Sequence, residues 1–173
     1  RRPGGAQPID HLHDLDLASP IKDFVASGKP LMGVCLGLQL LFDESEEFGS
    51  SKGLGIVPGF IRKFPVISEG IKIRVPQISW NTISKGSSEL WEKSPLSNIK
   101  EGEFMYFVHS YYVVPSNKQV VLSNTVYENI SYCSGILSDN IFATQFHPEK
   151  SAGEGIKIYE NWATKISKRK SIA

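Results

Sequence analysis

Cysteine is scarce in this chain of 173 residues, which contains only Cys35 and Cys133. The two lie far apart, and neither falls in a CxxC or histidine-rich spacing, so they form neither a disulfide framework nor a metal-binding motif. We therefore expect free thiols, no bound metal and no cofactor. Free thiols persist in a reducing compartment, so we expect this protein to be cytoplasmic.

Net charge and long apolar runs are also lacking. The 19 basic and 18 acidic residues give a formal net charge of +1, so no strong overall field attracts nucleic acid or an anionic membrane. No apolar run reaches the roughly 18 residues that cross a bilayer, and no GxxxxGK[ST] loop indicates a nucleotide site. The length suits one domain over residues 1–173, with a divergent start at 1–8 and a frayed basic tail at 165–173.

The order of the expected elements is typical of a mixed α/β domain. Apolar spacing over residues 9–26 predicts a helical segment that is interrupted near Ser19-Pro20, and Gly28 predicts its end. A short strand over residues 31–34 and a helix from Leu36 follow. After the glycine-rich loop "FGSSKGLG", β-branched and aromatic runs predict many short strands, and "GEGIKIYENWATKI" predicts a last helix.

The segment Gly33-Val34-Cys35-Leu36-Gly37 has the glycine–x–nucleophile–x–glycine form of a nucleophile elbow. A sharp strand-to-helix turn strains the backbone of its middle residue, and flanking glycines remove Cβ atoms that would clash. The helix that follows favours a thiolate and a developing oxyanion through its free N–H groups. The alternative is that a small apolar residue fills a tight corner.

A thiol nucleophile needs a base, and the run His147-Pro148-Glu149 offers one with its own orienting carboxylate. Side chains two residues apart on extended backbone project to the same side, so Glu149 can fix the imidazole of His147. The histidines of the first helix, His11 and His13, are interpreted as surface residues. The alternative for the His147 run alone is a chance surface turn.

Five stretches together carry a resemblance to a known family: "KPLMGVCLGLQLLF", "ATQFHPEKS", "GLGIVPGFIRKF", "VPQISWNTI" and "YFVHSYYV". They resemble the class I (triad) glutamine amidotransferases over about residues 3–162. Within that family they are most similar to the glutaminase subunits of histidine biosynthesis. The resemblance implies an α/β, flavodoxin-like three-layer fold, with a mostly parallel central sheet and extra antiparallel strands.

The resemblance also implies roles for individual residues. Cys35 attacks the side-chain amide of L-glutamine and releases ammonia, His147 acts as base and then acid, and Glu149 orients it. Gln39, Ser110 and Tyr111 bind the substrate, while the peptide N–H groups of Leu36 and near Gly5 form the oxyanion hole. Ammonia passes to a (β/α)₈ cyclase/synthase partner, and the positions that face this partner are Trp80, Asn81, Tyr106 and Lys150. His109 is interpreted as structural. Without the resemblance, Trp80 and Tyr106 would be interpreted as core aromatics.

Two features depart from the family pattern. Pro3-Gly4 matches the start of the family's Pro-Gly-Val-Gly oxyanion segment, but Gly5-Ala6 replaces Val-Gly. The strands that precede this segment are missing, so we expect a truncated or misjoined N-terminus and a sheet that lacks one or two strands. Gln77 stands where the family commonly has histidine. Three alternatives stay open: a paralogue that feeds a sugar amidotransferase in surface-polysaccharide pathways, an inactive docking module, and a stand-alone cysteine hydrolase.

Overall fold

The computed structural model describes residues 8–46 and 51–170, in which short helices flank a set of short strands. The helices are α1 (Pro8–Asp14), α2 (Ala18–Ala26), α3 (Leu36–Leu40), α4 (Ser88–Lys93) and α5 (Ala152–Lys170). The first seven strands are β1 (Leu31–Val34), β2 (Glu44–Ser45), β3 (Ser51–Lys52), β4 (Gly59–Lys63), β5 (Ile67–Ser68), β6 (Ile71–Lys72) and β7 (Gln77–Thr82). The others are β8 (Ser84–Lys85), β9 (Phe104–His109), β10 (Tyr111–Pro115), β11 (Val121–Tyr127), β12 (Ile130–Ser138) and β13 (Ile141–Thr144).

The first helical segment is interrupted, but not where the sequence predicted. The break falls at residues 15–17, where Asp16 has a φ of 54° and the N–H of Leu17 donates to the carbonyl of Leu12 at 2.8 Å. Ser19-Pro20 lies instead in the first turn of α2. Proline is tolerated there because the first turn of a helix has no internal acceptors for its N–H groups. Gly28, at a φ of 77°, follows the end of α2 as expected.

The main sheet of the described residues is mixed. Its strand order is β1-β13-β12-β10-β4-β2-β3, and β11 and β8 branch from β12. The pairs β1–β13 and β2–β4 are parallel and the other pairs are antiparallel. The expectation of a mostly parallel sheet is therefore wrong for the described strands, whereas the expected antiparallel strands are present. β1 stands at one end of this order, and its other edge faces no strand in the part of the chain that the structure describes.

Side chains of β13 divide the core between the two faces of the sheet. Phe142 belongs to the cluster with Phe146 and Ile158, and its ring lies 5.9 Å from that of Trp162 on α5. Its neighbour Ala143 belongs to the cluster that contains Leu38 of α3. Because successive strand residues point to opposite faces, α3 and α5 cover opposite sides of the sheet, which gives the three layers that the family resemblance implied.

β7 and β9 form a separate antiparallel ribbon. Its register runs from Gln77 opposite His109 to Thr82 opposite Phe104. Residues of β9 alternate between more exposed and buried, and the buried set is Met105, Phe107 and His109. The other side of this ribbon carries exposed apolar side chains, among them Trp80 and Phe104.

The last helix extends into the basic tail. α5 continues to Lys170, so residues 165–170 belong to this helix, and the frayed tail stays a prediction. The half-buried positions Trp162, Lys165 and Ile166 have helical spacing, so packing extends the helix beyond the apolar stretch that predicted it. Within the described ranges, no helix combines the length and apolar character needed to cross a bilayer.

Candidate active site

The predicted elbow is present at the junction of β1 and α3. Cys35 has a φ of 50° and a ψ of −100°, a conformation that is costly for a residue with a Cβ atom. Its backbone N–H donates to the carbonyl of Thr144 at 2.7 Å, which continues the parallel β1–β13 pairing by one step. The strain is therefore held by the sheet on one side and by the helix on the other.

The two glycines of the elbow have different roles. A Cβ atom on Gly33 would lie 2.9 Å from the carbonyl carbon of Gly37 and 3.1 Å from the Cβ of Ala143, so only glycine allows this close packing. A Cβ atom on Gly37 would meet nothing within 4 Å. The prediction that both glycines avoid a clash is therefore wrong for Gly37.

The resting thiol of Cys35 is not activated by its surroundings alone. Burial raises its pKa above the ordinary value, while the N–H of Leu36 and the side-chain amide of Gln145 act in the opposite direction without cancelling the effect of burial. The charge of Glu149 raises this pKa and the charge of Lys150 lowers it, so the elbow shares its site with the His147 turn. The N–H of Leu36 therefore favours the thiolate as expected, but burial outweighs it, so a base is required.

His147 and Glu149 form the close pair that the sequence predicted, although Pro148–Lys150 form a 3₁₀ turn and not the extended backbone on which that prediction was based. The Nδ1 atom of His147 lies 2.6 Å from Oε1 of Glu149, and Oε2 of Glu149 accepts a hydrogen bond from the hydroxyl of Tyr159 at 3.3 Å. Burial raises the pKa of Glu149, but the hydrogen bond and charge of His147 outweigh it, so this pKa lies below its ordinary value. Glu149 therefore stays ionised and holds Nδ1–H of His147, which leaves Nε2 to accept a proton.

The Nε2 atom of His147 is buried and has no hydrogen-bond partner among the described residues. A buried polar atom without a partner is rare and calls for an explanation. The segment that carries it is held firmly, because the N–H of His147 donates to the carbonyl of Tyr106 at 2.9 Å and the hydroxyl of Ser151 donates to the carbonyl of His147 at 2.6 Å. The imidazole is thus fixed with a free acceptor, as a general base requires.

Three comparisons with known proteins bear on this site. The family described as "Glutamine amidotransferase class-I" matches residues 12–166. A relative from Aquifex aeolicus named "Imidazole glycerol phosphate synthase subunit HisH" is 45% identical, over 92% of this chain and 72% of that protein. A relative of the same name from Syntrophotalea carbinolica is 43% identical, over 89% of this chain and 73% of that protein.

This chain is a class I glutamine amidotransferase. Solved structures agree on the fold. A putative GMP synthase protein from Thermoplasma acidophilum has a TM-score of 0.61 and 18% identity, over 98% of this chain and 72% of that one. A glutamine amidotransferase from Thermotoga maritima has a TM-score of 0.55 and 14% identity, over 96% and 63% of the two chains. The predicted family and fold class are thus confirmed.

The residues expected to bind substrate in this amidotransferase gather around one turn. Gln39, one helical turn beyond Cys35, donates from Nε2 to the carbonyl of Tyr111 at 2.9 Å and to Oε1 of Gln145 at 3.1 Å. Ser110 lies half-buried at the end of β9, and its carbonyl accepts from the N–H of Phe64 at 3.0 Å. Because the amide nitrogen of Gln39 serves two protein acceptors, its carbonyl oxygen is the group available to a substrate N–H. The binding roles stay predictions.

A buried polar network lies next to the turn formed by Ser110 and Tyr111. Nδ1 of His109 lies 2.8 Å from the carbonyl of Tyr111, and Nε2 lies 3.2 Å from the hydroxyl of Tyr132. That hydroxyl in turn lies 2.9 Å from Oε1 of Gln77, the position where the family commonly has histidine. Burial lowers the pKa of His109 to about 4, so the ring is neutral at pH 7 and donates from Nδ1. The structural interpretation of His109 accords with this placement.

Of the four residues expected at the partner interface, Trp80 and Tyr106 lie on the outer side of the β7–β9 ribbon, whereas Asn81 stands opposite the buried Met105 and Lys150 belongs to the turn after His147. Trp80 pairs with Tyr106, and their ring centroids are 6.0 Å apart. The ammonium of Lys150 lies 5.7 Å from the Tyr106 ring. Trp80 is 48% exposed, which excludes the alternative that it is a core aromatic. Asn81 is engaged within the chain, because its side-chain nitrogen donates to the carbonyl of Val126 at 2.8 Å.

Sequence reasoning missed two residues of the site, and one predicted residue cannot be placed. Gln145 contacts the nucleophile and Tyr159 contacts Glu149, but neither carries a local pattern that separates it from ordinary strand or helix residues. Gly5, expected near the oxyanion hole, lies outside the described residues, as does the side chain of His11. His13 is exposed, in agreement with its interpretation as a surface residue.

Proposed function

We propose that this chain is the glutaminase subunit of an imidazole glycerol phosphate synthase and that Cys35, His147 and Glu149 carry out the hydrolysis. The relatives that are 43–45% identical bear that subunit's name, which supports the function. The observation that carries the residue assignment is the buried, unpartnered Nε2 of His147, at the end of the strand that pairs with the elbow strand. The carboxyl ends of adjacent parallel strands meet at one edge of the sheet, so a thiol and a base placed there share a site.

The geometry supports a two-step hydrolysis. Nε2 of His147 takes the thiol proton of Cys35, and the sulfur attacks the side-chain carbonyl carbon of glutamine. The N–H of Leu36 stabilises the oxyanion that develops. The C–N bond then breaks, His147 returns the proton to the leaving nitrogen, and ammonia departs from a thioester on Cys35. Water, activated by the same imidazole, cleaves the thioester to glutamate and the free thiol.

Partner docking is the second part of the proposal. The outer side of the β7–β9 ribbon exposes Ile78, Trp80 and Phe104 at 60%, 48% and 55%. An apolar face of this kind marks an interaction surface more often than an isolated exposed residue does. Lys150 lies against this face, because its ammonium contacts the ring of Tyr106, and it follows Glu149 of the triad in the sequence. Ammonia would therefore be released beside the apolar face. We therefore infer that the (β/α)₈ cyclase/synthase subunit covers this side.

The catalytic assignment is tested with a matched pair of cysteine variants. Cys35→Ala should abolish glutamine hydrolysis in the complex while the two subunits still assemble. Cys133→Ala is the control, because Cys133 is buried and its thiol donates to the carbonyl of Gly135 at 3.3 Å. Hydrolysis is measured as glutamate release at saturating glutamine. Activity retained by Cys35→Ala would rule out the assignment.

The docking surface is tested with Trp80→Ala. A central interface aromatic contributes on the order of 2 kcal/mol, so the Kd for the synthase subunit should rise roughly 30-fold. The control is Ile156→Ala, which truncates a side chain that is 49% exposed on α5. Calorimetry of the purified subunits gives both constants. An unchanged Kd for Trp80→Ala would place the partner on another face.

A further inference from the structure

Gln145, which the triad does not include, places its side-chain amide against the nucleophile. Its Nε2 atom lies 3.5 Å from the sulfur of Cys35, an ordinary distance for an N–H···S hydrogen bond. The side chain is completely buried, at 0% exposure. Its backbone is fixed as well, because the N–H of Gln145 donates to the carbonyl of Ser134 at 2.8 Å. The amide is therefore a rigid feature of the site.

The direction in which this amide points follows from its neighbours. The nitrogen of a side-chain amide donates hydrogen bonds and its oxygen accepts them, so the hydrogen-bond network tells the two atoms apart. The carbonyl of Tyr111 can only accept, so the Gln39 atom that faces it must be nitrogen. The second N–H of that nitrogen faces Gln145, so the Gln145 atom there must be oxygen. Nε2 of Gln145 is thus left to face the sulfur, and it can only donate.

We propose that Gln145 is a further catalytic residue of this site, whose amide N–H donates to the Cys35 sulfur and stabilises the thiolate that attacks glutamine. The inference rests on the proposed function, in which Cys35 is the nucleophile. Gln39 holds the amide by donating to Oε1, so a residue expected to bind substrate also orients the donor at the sulfur.

The surroundings of the sulfur explain why such a donor matters. The carbonyl of Val108 lies 3.8 Å from the sulfur and accepts from the neutral thiol. Once the thiol ionises, that carbonyl oxygen repels the sulfur, while the N–H of Gln145 attracts it. A donor to the charged form favours ionisation, and it does so more strongly in a buried site. Burial disfavours the thiolate here, so Gln145 opposes the dominant unfavourable effect.

The test measures the ionisation of Cys35 directly. Gln145→Met removes the donor at similar volume, and Gln119→Met is the matched control because Gln119 is exposed. The rate of alkylation of Cys35 by iodoacetamide is followed against pH, with modification located by peptide mass spectrometry. Loss of a hydrogen bond to an ion should raise the thiolate pKa by roughly one unit, so alkylation at pH 7 falls roughly tenfold in Gln145→Met. In the synthase complex kcat should fall by a comparable factor.

A structural role for Gln145 predicts a different result. In that case alkylation of the folded variant follows the same pH profile as the unsubstituted chain, and this outcome would overturn the proposal. If Gln145→Met does not fold, the unsubstituted chain supplies the test by NMR. The side-chain amide protons of Gln145 should shift with the same midpoint as the thiolate absorbance, and signals that stay unmoved through that titration contradict the proposal.

The two proposals fail in distinguishable ways. If the chain is no glutaminase, Cys35→Ala and the unsubstituted chain release glutamate equally slowly in the complex, whatever the alkylation profile. If only the role of Gln145 is wrong, Cys35→Ala still abolishes activity while Gln145→Met leaves the alkylation profile and kcat unchanged.

Discussion

The elbow glycines give a prediction with opposite signs at two positions four residues apart. Gly33→Ala places a Cβ atom 2.9 Å from the carbonyl carbon and 3.0 Å from the carbonyl oxygen of Gly37, and 3.1 Å from the Cβ of Ala143. Two of these neighbours are backbone atoms that cannot rotate away. Overpacking of this kind costs about 1–3 kcal/mol, partly offset by about 0.5–1 kcal/mol from the reduced freedom of the unfolded chain. We expect Gly33→Ala to lower the free energy of unfolding by roughly 1–2 kcal/mol.

Gly37→Ala should act in the other direction. A Cβ atom there meets nothing within 4 Å, and the residue lies inside α3. Alanine in place of glycine in a helix is worth up to about 1 kcal/mol, and less in a first turn, so we expect a gain of about 0.5 kcal/mol. The two variants change the chain by the same methyl group, so each controls for the other.

Urea unfolding of both variants, followed by tryptophan fluorescence, measures the difference. The slope of the free energy against urea should be equal in the two variants, which shows that the same surface is exposed on unfolding. We expect the two free energies of unfolding to differ by roughly 2 kcal/mol, the sum of the two effects. Equal stabilities, or a Gly33→Ala variant more stable than the parent, would refute the close-packing role assigned to Gly33.

Three further predictions concern residues around the triad. The pKa of histidine is about 6.5 in the unfolded chain, whereas burial lowers the pKa of His109 in the folded chain to about 4. The free energy of unfolding should therefore fall by roughly 3 kcal/mol as the pH is lowered through this range. Urea titrations at several pH values should show a smaller loss for His109→Gln and an unchanged loss for His13→Gln. Tyr159→Phe removes a donor to a half-exposed carboxylate, so kcat should fall roughly two- to fivefold in the complex, whereas an unaltered kcat would show that the phenol is dispensable. Ser151→Ala leaves the N–H of Tyr106 without its acceptor and removes one of two donors to the carbonyl of His147, which keeps the N–H of Lys150. This change should cost about 1–3 kcal/mol by urea unfolding, and a cost below that range would mean that water replaces the hydroxyl.

Those parts of the site that depend on neighbours in the chain could be predicted from the sequence. The elbow needs a glycine two residues before the cysteine, and the His147–Glu149 pair needs a spacing of two, so both patterns are local and visible. The mixed α/β class followed from the order of helical and strand-like runs, whereas the three layers were implied by the family resemblance. The expected strands and helices were largely correct because their periodicity is set by burial on one side.

Contacts between distant residues were beyond this reasoning. Gln145 meets Cys35 across 110 positions and Gln39 across 106, and no spacing rule links them. The break in the first helical segment was misplaced because proline breaks a helix only in its interior, and Pro20 lies in a first turn, where it displaces no hydrogen bond. The net rise in the pKa of the Cys35 thiol was also not predicted, because burial of the sulfur depends on packing that a motif does not reveal.

The parallel pairing of β1 with β13 has a consequence for the order in which activity appears during synthesis. Leu31 pairs with Ile141 and Val34 pairs with Thr144, so the thiol and its base are brought together by strands that lie 110 positions apart in the sequence. Closing the loop between these strands is entropically costly, and contacts of large sequence separation form slowly. A nascent chain on the ribosome therefore carries Cys35 without its base until β13 and the His147 turn emerge. Hydrolysis begins only when most of the chain, including the ribbon that the synthase subunit is proposed to cover, is already available for folding.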